Sequence, residues 1–138
     1  MKTMNTIVVL LALCICVGAM TLKELQIKLH YVQRICKTEF DIDEQKADDV
    51  NEATFDVQDV KSQIYSKCII EEFNGVDENK RLNENVVRDV VSIYLDENDV
   101  NQLIAECSLI SDTNIYLRFS KLMMCLEKYK TMKEIINL

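Results

Sequence analysis

Proline is absent from this chain and glycine occurs only twice, at Gly18 and Gly75. The usual turn signals of an all-β chain are therefore missing, and Asn and Asp are left to punctuate the elements. Histidine occurs once, at His30. A Ser-His-Asp or Cys-His catalytic arrangement would have to use it, and no HExxH, Gly-rich phosphate loop or nucleophile elbow is present, so no catalytic residue is named. Basic residues are in the minority, with 16 Lys and Arg against 23 Asp and Glu and a formal net charge of −7. That balance argues against nucleic acid and anionic membrane surfaces as partners, because both demand clustered cations. Close CxxC pairs of a structural zinc site are lacking, and the run Asp96 to Cys107 lacks the glycine and the glutamate of an EF-hand loop. No metal and no cofactor is expected. Nor does any Asn-x-Ser/Thr glycosylation acceptor appear.

What is present begins with a short apolar leader. Lys2 precedes the run Ile7 to Val17, too short to span a bilayer, with Val17 and Ala19 at the −3 and −1 positions of a cleavage site. Residues 1–19 are read as a cleaved signal peptide and 20–138 as a single domain, with 131–138 as its tail. No later segment is apolar for long enough to insert stably in a membrane. Cys14 and Cys16 leave with the leader, so six cysteines become four. An even count in an oxidising compartment favours disulfides, and a secreted, extracellular product is expected.

Periodicity points to an all-α domain. Thr21 and Glu24 form a capping box ahead of Leu22, Leu25, Leu29, Val32 and Cys36, which line one helix face. A short helix is expected after Asp43. Asp56 is expected to cap a third helix with Val57, Val60, Ile64 and Cys68 on one stripe, ending near Phe73 with Gly75 for its C-terminal turn. Asn83 caps a fourth, bearing Val86, Val87, Val90, Val91 and Tyr94; its 3-4 spacing outweighs its β-branched content. Asp96 or Asn98 starts a fifth with Val100, Leu103, Ile104 and Cys107. The run Ser111 to Asn114 opens a sixth with Tyr116, Phe119, Leu122, Met123 and Leu126. The tail is apolar at Met132, Ile135, Ile136 and Leu138, and forms either a lid or a frayed end.

Each mature cysteine thus sits on the apolar stripe of a helix. Four cysteines permit three connectivities. Pairing Cys36 with Cys68 and Cys107 with Cys125 is preferred, and closing loops of roughly 30 and 20 residues would contribute about 3 kcal/mol each in the chain-entropy model.

The intervals Cys36-x31-Cys68-x38-Cys107-x17-Cys125 resemble those of the insect odorant-binding proteins, in particular the minus-C subgroup that lacks two of six cysteines. Taken as the first, third, fourth and sixth, the four cysteines place the missing pair at Ile64 and Tyr116. The runs Cys36-Lys37-Thr38-Glu39, Asp96-Glu97-Asn98 and Lys128-Tyr129-Lys130-Thr131-Met132-Lys133 are similar to those of bee and wasp members. The resemblance implies the pairing Cys36 with Cys68 and Cys107 with Cys125, and a compact six-helix fold around an apolar cavity. It also implies a non-enzymatic carrier of small apolar or volatile molecules such as odorants or pheromones. By position relative to the cysteines, Val90, Tyr94, Val100, Leu103, Phe119, Leu122, Leu126 and Ile135 are the expected cavity residues. Tyr94 or Tyr116 could give a ligand oxygen one hydrogen bond. Against each stands the plainer reading that an apolar stripe is core rather than pocket wall. His30, at the edge of the first stripe, is read as an exposed helix residue before a pH switch. Receptor and homodimer contacts are left open, and a secreted helical interaction module on the same scaffold is the alternative function.

Overall fold

The computed structural model describes residues 20–138, so the expected leader, with Cys14 and Cys16, lies outside the described residues. Seven helices follow in order: α1 Leu22–Glu39, α2 Glu44–Asn51, α3 Val60–Glu72, α4 Glu84–Val91, α5 Glu97–Cys107, α6 Ile115–Leu126 and α7 Met132–Ile136. The only β-pairing among the described residues is an isolated antiparallel bridge between Val76 and Leu82. Six helices answer to those expected from periodicity, and the tail supplies the seventh.

Every helix begins in the same way. The side chains of Thr21, Asp43, Asp59, Asn83, Asp96, Asn114 and Thr131 each accept a hydrogen bond from the backbone N–H three residues on. Such caps satisfy donors that the helix itself leaves unpaired, at about 1 kcal/mol apiece. With glycine scarce, left-handed backbone falls instead on Asp41, Ala53, Asn74 and Lys80. Asn74, at φ 56°, closes α3. Its N–H donates to the Glu71 carbonyl at 3.0 Å, while the Gly75 N–H reaches back to Ile70 at 2.9 Å, the paired bonds of a Schellman ending. Gly75 is needed for space rather than for φ. A Cβ there would stand 3.0 Å from Ile70 Cγ2 and 3.3 Å from its carbonyl oxygen.

α3 is the central helix, packed against α1 and α2 and most extensively against α6. It starts at Val60, capped by Asp59 rather than Asp56. The Asp56 carboxylate is engaged in the preceding turn, where it accepts the Gln58 N–H at 2.9 Å. Asp59 Oδ2 accepts both the N–H and the hydroxyl of Ser62 at 2.9 Å, while Oδ1 takes the Lys46 ammonium at 2.7 Å. That Lys46 hydrogen bond, followed by those from Ser62, holds the Asp59 carboxyl below the ordinary carboxylate range. The expected stripe is also corrected, because Val60 is 65% exposed while Ser62, Gln63, Tyr65, Ser66, Cys68, Ile69 and Ile70 are buried. A helix covered on several sides buries small polar residues along with apolar ones.

Both disulfides take the preferred pairing. Cys36–Cys68 joins α1 to α3 with Cα atoms 5.8 Å apart, and Cys107–Cys125 joins α5 to α6 at 5.7 Å. A polar knot supports the first: Asn51 Oδ1 accepts from the Tyr65 hydroxyl at 2.9 Å and from Gln33 Nε2 at 3.1 Å, linking α1, α2 and α3. Beside the second, Lys128 Nζ lies 2.6 Å from Glu106 of α5.

Candidate ligand cavity

Where α1, α3, α4, α6 and α7 meet, side chains do not fill the interior. Leu25 and Leu29 of α1, Ile69 and Ile70 of α3, and Val86, Val87, Val90 and Val91 of α4 supply much of the wall. Met123 and Leu126 of α6 and Met132 and Ile135 of α7 complete it with Phe73, Gly75 and Tyr94. The cavity measures ≈ 100 Å³. One water occupies roughly 10–15 Å³ on this measure, so the space suits a small molecule of several heavy atoms. Two ionisable groups besides Tyr94 belong to the wall, Glu127 and Lys130.

The β-branched residues of α4 explain its contribution. Val86, Val87, Val90 and Val91 recur at helical spacing, so a stiff apolar face points one way. The helix ends at Val91, and Tyr94 sits in the turn that follows, with its phenol pushed upward by burial and then by the Glu127 charge.

The C-terminal segment is tied down rather than frayed. Gln26 Nε2 of α1 donates to the carbonyls of Ile135 at 3.0 Å and Ile136 at 3.3 Å. Gln33 Nε2 approaches Met132 Sδ at 3.9 Å, and the Met132 N–H donates to Glu127 Oε2 at 3.0 Å. A second capping box, Thr131 with Glu134, starts α7 and turns Met132 and Ile135 inward.

Of the residues expected at a cavity, Val90, Tyr94, Leu126 and Ile135 lie in its wall. Val100, Leu103, Phe119 and Leu122 do not line it. They are buried, at 2%, 1%, 1% and 3% exposure, but in packed core. α5, which carries Val100 and Leu103, is held by Cys107–Cys125 and packs on α4 and α6. Phe119 has the Lys67 ammonium of α3 5.6 Å from its ring centroid. Tyr116 is likewise corrected: it is 47% exposed, its ring centroid 5.8 Å from the Lys67 ammonium, and it does not line the cavity. His30 is exposed on α1.

Glu127 is the wall residue that sequence reasoning passed over. Only 4% of it is exposed, and Oε1 is buried without a hydrogen-bond partner. Burial pushes its carboxyl up to about 8, the Met132 N–H pulls the other way, and the Glu134 charge adds to the rise. The signal is its register: Phe119 and Met123 on the inward face of α6 and Glu127, which caps its C-terminal end, recur every fourth residue.

A broader depression of ≈ 640 Å³ lies open at the surface, with Ala53, Val57, Ile110 and Met124 in its lining and Glu127 shared with the cavity. Its exposure leaves the apolar cavity as the better-shielded site. Among the described residues, no group of three or more His, Cys, Asp or Glu side chains is placed to hold a metal ion. No helix among them is long and apolar enough to cross a membrane.

The fold is similar to that of the fatty acid binding protein OBP56a from the oral disk of the blowfly Phormia regina. The TM-score is 0.61 at 18% identity, covering 76% of this chain and 90% of that one. No curated protein sequence matches significantly. The model of the PBP/GOBP family matches residues 18–129, and the chain belongs to that family.

Proposed function

We propose that the protein is a secreted, extracellular carrier that takes one small apolar molecule, an odorant, pheromone or other semiochemical, into the cavity between α4 and α7. As a PBP/GOBP member it is a binding protein and not an enzyme. The observation that carries the reading is the apolar cavity itself, half-open and walled by five helices, with α7 held in its wall through Gln26 and Glu127. Two disulfides fit an oxidising, extracellular setting. Four mature cysteines support assignment to the minus-C pattern, with Ile64 and Tyr116 where a third bridge would stand.

A modest ligand filling such a site binds at micromolar strength, about −8 kcal/mol. Discrimination between homologues one methylene apart is small, on the order of ten-fold. The test is a titration of residues 20–138, refolded with both disulfides verified, with the apolar fluorophore N-phenyl-1-naphthylamine. Absence of Trp keeps the background low. Saturation at one fluorophore per chain, reversed by terpenoids or volatile aromatics, supports the carrier; no saturable binding contradicts it. The interaction-module reading has less behind it. Large exposed apolar side chains are scattered over several elements, and only Ile27 and Tyr31 of α1 are neighbours on one helix face.

A further inference from the structure

Glu127 is a carboxyl in the wall of an apolar cavity, 4% exposed, with one oxygen bonded to the Met132 N–H and the other buried and unpartnered. A buried polar atom without a partner is costly and calls for an explanation; the Ser66 and Ser120 hydroxyls are also unpartnered, but of the three residues Glu127 alone lines the cavity. We propose that Glu127 anchors the ligand by donating its carboxyl proton to a neutral acceptor oxygen, so that the preferred cargo is an apolar molecule with a ketone, aldehyde or ester group rather than a carboxylate. This rests on the carrier reading and names the chemical class of its cargo.

The hydrogen bonding dictates the role of each oxygen. Oε2 accepts from a backbone N–H, so the proton of the neutral acid belongs on Oε1, the atom left without a partner. Oε1 is itself out of contact with the cavity space, so a turn of the Glu127 side chain towards the cavity brings it to a ligand carbonyl oxygen, which supplies the missing acceptor. An ionised carboxylate guest must instead lose its hydration beside a second carboxyl, with no cation in the wall except Lys130. Burial keeps Glu127 protonated through neutral pH, with its carboxyl at about 8. Six other titratable groups bear on it or share its two cavities: Tyr65 from α3, Tyr94 after α4, Lys121 on α6, Lys128 and Lys130 between α6 and α7, and Glu134 on α7. α1 meets the cavity with Leu25 and Leu29 and reaches Met132 through the neutral amide of Gln33.

The experiment displaces N-phenyl-1-naphthylamine with octan-2-one, nonane and heptanoic acid, which have equal numbers of heavy atoms, at pH 6.5 and pH 9.5. At pH 6.5 the ketone is expected to bind roughly ten-fold more tightly than the alkane, the worth of one net hydrogen bond, and more tightly than the ionised acid. At pH 9.5, with Glu127 ionised and unable to donate, the ketone's advantage disappears. In Glu127→Gln, whose amide still donates, that advantage persists at both pH values; in Glu127→Leu it is lost at both. Ketone and alkane binding equally at pH 6.5, heptanoate matching the ketone, or the same pH response in Glu127→Gln as in the wild type would each overturn the proposal while leaving the carrier reading intact. Failure of the fluorophore to bind the wild type would overturn both.

Discussion

The backbone N–H of Met132 donates to the buried Oε2 of Glu127 at 3.0 Å, joining the end of α6 to the start of α7 through a carboxyl that is almost wholly removed from water. This contact has a pH signature. Unfolded, the carboxyl ionises in the ordinary range near 4.5; folded, it ionises at about 8. The native state therefore holds a proton that the unfolded chain has released. Stability on this account is full below about pH 4.5, falls as pH rises towards 8 and then levels off, a loss of about 3 kcal/mol at pH 7. Chemical denaturation of wild type and Glu127→Gln across pH 4–9 checks it. The variant should lack this fall, and parallel curves would contradict the assignment.

Truncation after Tyr129 removes Met132 and Ile135 from the cavity wall and leaves Leu25 and Leu29 facing water. Burying each of these two side chains is worth about 1.5–3 kcal/mol. The truncated protein should bind N-phenyl-1-naphthylamine at least roughly ten-fold more weakly and melt at a lower temperature. Unaltered affinity would mean that α7 is not part of the site.

Phe119 and Tyr116 lie on the same helix and share the Lys67 ammonium, but one is buried and the other exposed. Phe119→Ala empties a position that is 1% exposed and should cost about 3–5 kcal/mol, whereas Tyr116→Ala should stay within about 0.5 kcal/mol. Equilibrium denaturation in urea separates the two. Equal losses would show that Tyr116 packs inward after all.

At Gly75 a methyl group would stand 3.0 Å from the Ile70 side chain and 3.3 Å from its backbone oxygen. Gly75→Ala should destabilise by about 1–3 kcal/mol and, because Ile70 and Gly75 both border the cavity, should weaken ligand binding too. A neutral effect on the melting temperature would show that the α3–α4 connection yields easily.

Helix starts were legible because they depend on local chemistry. Thr21, Asp43, Asn83 and Asp96 cap the helices they were expected to cap, and the run Ser111 to Asn114 supplies Asn114. The third helix is the exception: Asp56 was expected to cap it and Asp59 does, held by Lys46 thirteen residues upstream, a partner that no local pattern reports. The stripe on α3 differs for a related reason: the wet face of this central helix is a narrow one, Val60, Lys61, Ile64, Lys67 and Glu71, and neighbours cover the rest, so Ser62 and Ser66 are as buried as Ile69. For the cavity, sequence order near the cysteines pointed to Val90, Tyr94, Leu126 and Ile135 but could not separate wall from core at Val100, Leu103, Phe119 and Leu122. All eight are apolar or aromatic, and three-dimensional placement alone distinguishes them: α5 with Val100 and Leu103 stands behind α4 and α6, and on α6 itself Leu126 borders the cavity while Phe119 and Leu122 do not. Glu127 escaped because a charged residue next to Leu126 reads as solvated surface; its register with Met123 was the competing signal.

The most direct measurement is a crystal structure of residues 20–138 grown with octan-2-one at pH 6.5. The account predicts one ligand enclosed by α4 and α7, with its carbonyl oxygen within hydrogen-bond distance of Glu127 Oε1. Ligand bound instead in the open depression beside Ala53, Val57 and Met124, with the cavity between α4 and α7 closed, would contradict it.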